Sequence, residues 1–456
     1  MIKKLLLFFA LIISFSSFSQ KNFQFLGNKT EKQEIRFKLV NNLIVIPLKV
    51  NGNELSFILD TGVASTLLFN LTKKDSIGLN NVKKIMLRGL GRGEPITALT
   101  STKNELKINN IVGSNQDLFV ALTEDFNLSA KMGTTIHGII GYDLLKDVIT
   151  KINYKTKKIV FYNPKTYQQK KCRKCQEFPL EFYRKKPYVN VAVKIDTVGD
   201  LITPVKMLID TGGTDAMWLF ENTKAEIKTP IKYFKDILGE GLSGTIYGNR
   251  SKIPHISLGD FLIKEPTVSF LDKKSTLNAR RFKERNGSIG GNILNRFKVW
   301  IDYPNKKMIL KKNGSLKNGF YYNMSGLYLI HDGQELVKEK ISNNSTKFYN
   351  SKNDRNTISL ITKYHYKFKP SFKVDKVLKG SPAYNAGLLK GDIIKKINNK
   401  PAYEYQLNEI TTMFQSQPSR KIKIIVKRRF KELKFEFRLK KEYKKSANNY
   451  WHFFTL

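Results

Sequence analysis

Phe57-Ile58-Leu59-Asp60-Thr61-Gly62 and Met207-Leu208-Ile209-Asp210-Thr211-Gly212 follow one pattern: a short apolar run that ends in Asp-Thr-Gly. By average residue usage, one Asp-Thr-Gly arises by chance in roughly one chain in ten of this length. Two copies in matching contexts are a different matter. Outward from each copy the chain repeats itself again. Gly138-Ile139-Ile140-Gly141-Tyr142-Asp143-Leu144-Leu145 lies 78 residues after Asp60, and Gly287-Ser288-Ile289-Gly290-Gly291-Asn292-Ile293-Leu294 lies 77 residues after Asp210. Val148 to Tyr162 reads as strand, turn at Tyr154-Lys155, strand; Phe297 to Lys311 reads the same way, with Pro304-Asn305 in the turn. Internal repetition on this scale predicts two homologous lobes.

The flanks agree. Leu43 to Val50 reads as a strand that turns at Asn51-Gly52 into the run before Asp60. Tyr188 to Ile195 and Pro204 to Ile209 repeat the arrangement before Asp210. The paired motifs resemble those of bacterial aspartic peptidases of the retropepsin-like or pepsin-like kind, with both lobes on one chain, over roughly residues 40 to 312. The resemblance implies that Asp60 and Asp210 are catalytic. It implies that Thr61 and Thr211 bond across the two loops, and that Gly62 and Gly212 let backbone N–H groups approach the carboxylates. Ile139-Ile140-Gly141 and Ser288-Ile289-Gly290 match the segment that threads beside the catalytic loop. Gly89, Gly91 and Gly93, and in the second half Gly239 and Gly241, match the family's flaps by position. The chain departs from pepsin-like members one residue after each Asp-Thr-Gly: Val63 and Gly213 stand where Ser or Thr usually donates to the carboxylate. Ser65, Thr66 and Thr214 are candidate replacements at an altered spacing. His137 reads as structural, since aspartic catalysis has no use for it.

The chemistry follows from two carboxylates alone. At about 3 Å two anionic charges repel by roughly 5 kcal/mol at an effective dielectric near 20, so one stays protonated. The ionised partner takes a proton from water and the protonated one donates to the carbonyl oxygen. No cofactor and no metal is needed.

Past Asn313-Gly314 the chain changes character. Gly380-Ser381-Pro382-Ala383, Ala386-Gly387-Leu388 and Lys390-Gly391-Asp392-Ile393-Ile394 precede alternating runs at Ile422 to Val426 and Leu433 to Leu439. This string resembles a PDZ domain. The resemblance implies that the loop Ser325-Gly326-Leu327 captures a peptide carboxylate, although Ser325 replaces the usual apolar residue. The expected architecture is therefore mainly β: two acid-protease β-barrel lobes forming a bilobal peptidase, then an α+β PDZ domain. The expected divisions are a signal peptide at 1–19, lobe 1 at 20–165, a linker at 166–180 and lobe 2 at 181–315. The PDZ domain follows at 320–440, with a surface excursion at about 331–370, and then a tail at 441–456.

Lys3-Lys4, the apolar run Leu5 to Ile13 and Ser17-Phe18-Ser19 before Gln20 form a secretory signal pattern. The expected location is periplasmic or extracellular, and the mature chain is expected to be soluble. Cys172 and Cys175 are the only cysteines. In an oxidising compartment they can close a local disulfide; free thiols and a metal site, which would need further ligands, are the alternatives. The formal net charge is +42. It is dispersed along the chain and accompanies no nucleic-acid motif, so a solvated basic surface, or nonspecific contact with an anionic surface, is expected rather than specific nucleic-acid binding. Expected partners are protein or peptide substrates and C-terminal peptide ligands of the PDZ domain, among them the chain's own tail ending at Leu456. Three functions compete: an exported aspartic endopeptidase, a catalytically silent two-lobed peptide-binding protein, and a non-enzymatic basic surface protein in which the lobes and the PDZ domain are scaffolds.

Overall fold

The computed structural model describes residues 21–27, 31–71, 77–87, 94–122, 127–196, 199–241, 244–340, 346–349, 357–360, 364–441 and 444–445. The signal segment 1–19, the glycines at 89, 91 and 93 and nearly all of the tail fall outside them. The chain is mainly β and divides into two compact units, the larger running through Tyr321 and the smaller comprising Ala130–Thr134 and Tyr322–Lys441.

The larger unit holds both lobes. In the first, Leu43–Val50 and Asn53–Leu59 form a hairpin. Asn51 and Gly52 turn at φ 47° and 88°, the positive values that match the twist of flanking strands. Leu43 to Ile46 are buried on both faces, which explains the unbroken apolar run. The second lobe repeats this with Lys186–Lys194 and Thr203–Ile209. In each lobe a short strand then returns parallel to the one ending in Asp: Gly138–Ile140 beside Phe57–Leu59, and Gly287–Ile289 beside Met207–Ile209.

A six-stranded antiparallel sheet joins the lobes, in the order Cys175–Pro179, Lys307–Lys312, Phe297–Asp302, Ile149–Asn153, Lys158–Tyr162, Lys32–Arg36. At its centre Lys151 pairs with Trp300, its own counterpart in the repeat. The Lys151 ammonium lies 5.0 Å from the Trp300 ring centroid. One expectation is corrected here. Residues 175–179, read as linker, form a strand along Lys307–Lys312. The edge of the joining sheet otherwise presents unpaired backbone groups, and this strand satisfies them while burying Phe178.

The smaller unit is α+β. Its sheet runs Leu327–Lys340, Tyr364–Val377, Ile393–Ile397, Lys421–Arg428, Lys431–Arg438. The helix Leu407–Phe414 buries Leu407, Ile410 and Phe414, three positions on one helical face. Asp392, of the Lys-Gly-Asp string, is buried and takes both Arg428 Nε at 2.7 Å and Nη2 at 2.8 Å. Of the surface excursion expected at about 331–370, the described residues 331–340 and 364–370 lie in the strands Leu327–Lys340 and Tyr364–Val377, which pair with each other. Across the two strands Glu339 forms ion pairs with Lys367 and Lys369 and lies 3.1 Å from His365 Nε2. Among the described residues no helix is long and apolar enough to cross a membrane.

Candidate active site

Each aspartate sits where its strand stops. The N–H of Asp60 donates to Ile140 O at 2.9 Å, and that of Asp210 to Ile289 O at 3.0 Å, so the returning strand fixes the first residue of each loop. The loops then turn, Val63 N to Asp60 O and Gly213 N to Asp210 O, both at 3.3 Å. The repeated glycine of the second motif is required by contact. A Cβ on Gly141 would lie 2.1 Å from Asp60 O, and one on Gly290 would lie 2.4 Å from Asp215 O.

The loops face each other and are cross-bonded. Thr61 N–H donates to Thr211 Oγ1 and Thr211 N–H to Thr61 Oγ1, each at 3.0 Å. Each hydroxyl donates in turn to the opposite strand end, Thr61 to Ile209 O at 2.6 Å and Thr211 to Leu59 O at 2.7 Å. Both threonines are buried. Four reciprocal bonds hold the two aspartates in one place, although they are separated by 150 residues of chain.

The inner oxygens accept from the glycine amides, Gly62 N to Asp60 Oδ1 at 2.6 Å and Gly212 N to Asp210 Oδ1 at 3.0 Å. The two carboxyls converge: a Cβ on Gly62 would lie 3.1 Å from Asp60 Oδ1 and 3.2 Å from Asp210 Oδ1. A Cβ on Gly212 would lie 2.2 Å from Asp60 Cγ, so only glycine fits there. Both aspartates keep some residue-level exposure, yet the surroundings of their carboxyls are crowded. Burial, then the charge of Asp210, pushes Asp60 up to about 8. Asp210 is also raised by burial, but Arg285 and Lys186 pull against that shift. The arrangement can hold one proton between two oxygens and one anion beside it, which is what general acid–base attack by water requires.

Thr66, a candidate replacement donor, is used elsewhere. Its N–H and Oγ1 both donate to Asp143 Oδ2, at 2.8 and 3.1 Å. His137 Nδ1 accepts from Ser56 N at 3.0 Å, and Asn286 Oδ1 accepts from Lys206 N at 2.8 Å at the equivalent place in lobe 2. His137 thus acts in a strand pairing. Gly239 and Gly241 lie on the hairpin Lys232–Gly241 with Gly244–Lys252. At its base the buried Arg250 bonds Asp215 Oδ1 at 3.0 Å and Asp236 Oδ2 at 2.6 Å. Asp215 Oδ2 accepts from Trp218 Nε1 and Ser269 Oγ. Cys172 and Cys175 form a disulfide, Cα–Cα 5.6 Å.

In the smaller unit the loop Ser325-Gly326-Leu327 has a closed set of bonds. Ser325 N–H and Oγ both donate to Asn323 Oδ1, at 3.1 and 2.7 Å, and Leu327 N–H donates to Ser325 Oγ at 3.0 Å. Gly326 turns at φ 69°, packed on Ser381.

Sequence reasoning passed over Lys186, Arg285, Tyr303 and the Asp215–Arg250–Asp236 cluster. Tyr303 is buried, with its hydroxyl 3.5 Å from Thr61 O. Superposing the repeats position by position would have flagged the first two, because their counterparts in lobe 1 are apolar.

Comparison with known proteins adds two family matches. Residues 46–144 and 191–293 match the aspartyl protease family, and residues 373–428 match the PDZ domain family. Among curated proteins none matches the chain. Among solved structures, the crystal structure of an aspartic proteinase from Irpex lacteus is similar at 12% identity and a TM-score of 0.43, over 63% of this chain and 99% of that one. Two regions of the chain thus match the aspartyl protease family model, and a third, C-terminal to them, matches the PDZ domain model.

Proposed function

We propose that the chain is an exported aspartic endopeptidase in which Asp60 and Asp210 activate a water molecule, and whose PDZ domain binds peptide or substrate. The observation that carries this reading is the reciprocal Thr61–Thr211 bonding, which holds the two loops so that both carboxyls converge beside Gly62. One carboxylate takes a proton as water attacks the scissile carbonyl carbon. The other carboxyl gives its proton to the carbonyl oxygen, and a tetrahedral diol forms. Collapse of the diol breaks the C–N bond, the amine leaves with a proton, and the dyad again holds one proton. No covalent intermediate arises. Export is supported by the Lys3-Lys4 and Leu5 to Ile13 pattern and accords with the Cys172–Cys175 disulfide.

Incubating a denatured proteome with the purified protein tests the reading. New peptide termini should accumulate with the wild type and not with Asp60→Asn. Cleavage by neither protein, with peptides still bound, would establish the silent peptide-binding alternative. N-terminal sequencing of the secreted chain should begin near Gln20.

A further inference from the structure

The two repeats place equivalent residues in equivalent positions, and one set of positions is not filled alike. The hairpin turns correspond, Asn41 and Asn42 at φ 47° and 69°, Arg184 and Lys185 at 47° and 67°. Leu39 therefore occupies the position of Phe182. Tyr154, three residues after Lys151, corresponds to Tyr303, three after Trp300. Gly291 occupies the position of Tyr142, since their N–H groups donate to Gly213 O and Val63 O. On one side the Phe182 and Tyr303 rings pack edge to face, centroids 4.8 Å apart, and the Tyr142 ring lies 6.5 and 6.0 Å from them. On the other side no such cluster forms. Asn42 covers Gly291, where a Cβ would lie 2.5 Å from Asn42 O, and Leu39 is shorter than Phe182. Leu39 and Tyr154 line a cavity of about 280 Å³ instead.

The rest of the lining is cationic and polar. Arg296, Lys155 and Asn295 contribute to it, and no Asp or Glu does. Arg296 is buried. Its Nε donates to Asn292 O at 2.9 Å, Nη1 to Ser315 O at 3.2 Å and to Asn318 O, and Nη2 to Gly319 O at 3.2 Å. Four of the five guanidinium N–H groups are thus used, and one on Nη2 is left over. Burial pulls Arg296 down to about 10, and no carboxylate among the described residues opposes that pull. It stays charged near neutrality, and a buried charge is costly without an anion. Tyr154 is 4% exposed, and its hydroxyl has no partner in the protein. Its counterpart Tyr303 has one, with the hydroxyl 3.5 Å from Thr61 O. Buried polar groups are ordinarily satisfied. A spare N–H on a buried cation and an unmatched buried hydroxyl, on residues lining one acid-free cavity, are what an anion site requires.

We propose that this cavity binds a small carboxylate with a flat apolar body, the carboxylate against Arg296 and Tyr154 and the body against Leu39. Lys155, an exposed residue of the lining, adds a second positive charge. A flat body suits the place, because the equivalent position on the other side holds the Phe182 ring. Inorganic phosphate would meet the same cations and leave the apolar part of the cavity unfilled. Binding here does not depend on the peptidase reading.

Calorimetric titration of the full-length protein with benzoate tests the site, with benzamide as the neutral isostere and inorganic phosphate as the competing anion. Benzoate should bind at one site, and benzamide and phosphate at least about tenfold more weakly. Tyr154→Phe removes only the unmatched hydroxyl. Without ligand this variant should melt no lower than the wild type, and its benzoate affinity should fall roughly tenfold or more, as loss of a hydrogen bond to a charged group implies. Arg296→Met should abolish benzoate binding. If that variant does not fold, Tyr154→Phe and Lys155→Gln keep the test open, the latter at an exposed position and expected to weaken benzoate several-fold. Absence of benzoate binding, or equal binding of benzamide or phosphate, overturns the proposal. So does a benzoate affinity that is unchanged in folded Tyr154→Phe, which would place the ligand elsewhere on the basic surface.

Discussion

In the proposed mechanism the aspartates act as one unit, and substitutions there should behave accordingly. Asp60→Asn and Asp210→Asn should each reduce kcat/KM by several orders of magnitude, and the double variant should be no worse than either single one. Peptide turnover by the three folded variants checks this; additive losses would argue for two independent groups. A second expectation concerns the residue after each motif. Gly213 has an ordinary backbone conformation, and a Cβ there would lie 3.4 Å from Asp210 Oδ2, in normal contact. A serine hydroxyl at that place can donate to the outer oxygen, and a hydrogen bond to a charged group contributes roughly 1.5–3 kcal/mol. Gly213→Ser should therefore stabilise ionised Asp210 and shift the acidic limb of kcat/KM downward by about one pH unit or more. A pH profile on a well-folded variant that shows no shift would contradict the donor argument. Asp-Thr-Gly was readable as a pair at this scale because short motifs carry local chemistry. Lys186 and Arg285 were not, because nothing local separates a buried cation from the many solvated ones in a chain of charge +42.

Elements show where sequence pattern reaches and where it stops. The paired hairpins around Asn51-Gly52 and the returning strands Gly138–Ile140 and Gly287–Ile289 were legible, since apolar runs and glycines are imposed by two-sided burial and by close approach of a loop. The strand Cys175–Pro179 was not, because only the distant edge of Lys307–Lys312 makes it a strand. Nor was the pairing of Leu327–Lys340 with Tyr364–Val377, two strands separated by more than twenty residues of chain. The hairpin Lys232–Gly241 with Gly244–Lys252 depends on a distant set of charges. Arg250 neutralises Asp215 on the loop after the second motif and Asp236 on the facing strand. Arg250→Met would leave two carboxylates without their cation, a loss on the order of 3–5 kcal/mol that urea unfolding can measure. An unchanged midpoint would mean that water replaces the pairing. In the smaller unit, the N–H groups of Ser325 and Leu327 already donate within their own loop. Peptides ending in a free acid and in an amide should then bind this domain with affinities that differ by less than about tenfold. A larger preference for the acid would show that the loop rearranges on binding.

In the larger unit the two repeats meet at the Lys151–Trp300 pair, and the pH response of that unit should reflect what the repeats bring together. Folding forces two carboxyls into one crowded place. Burial and the charge of Asp210 lift Asp60 from an ordinary carboxylate value to about 8. Between about pH 4 and pH 8 the folded chain therefore holds a proton that the unfolded chain has already released. Unfolding then releases protons, and raising the pH favours it. The sign is opposite to that of a salt-bridged aspartate: stability falls as pH rises through this window and levels off above it. Asparagine at position 60 never ionises and escapes the penalty. Asp60→Asn should melt close to the wild type near pH 4 and above it at pH 8, by at least the roughly 2–4 °C that about 1 kcal/mol produces in a domain of 150–250 residues. Thermal scans of both proteins across pH 4 to 9 check this, with the gap opening through neutrality. A constant gap, or a wild type that gains stability on the alkaline side relative to the variant, would mean that the Asp60 proton is not retained in the folded state.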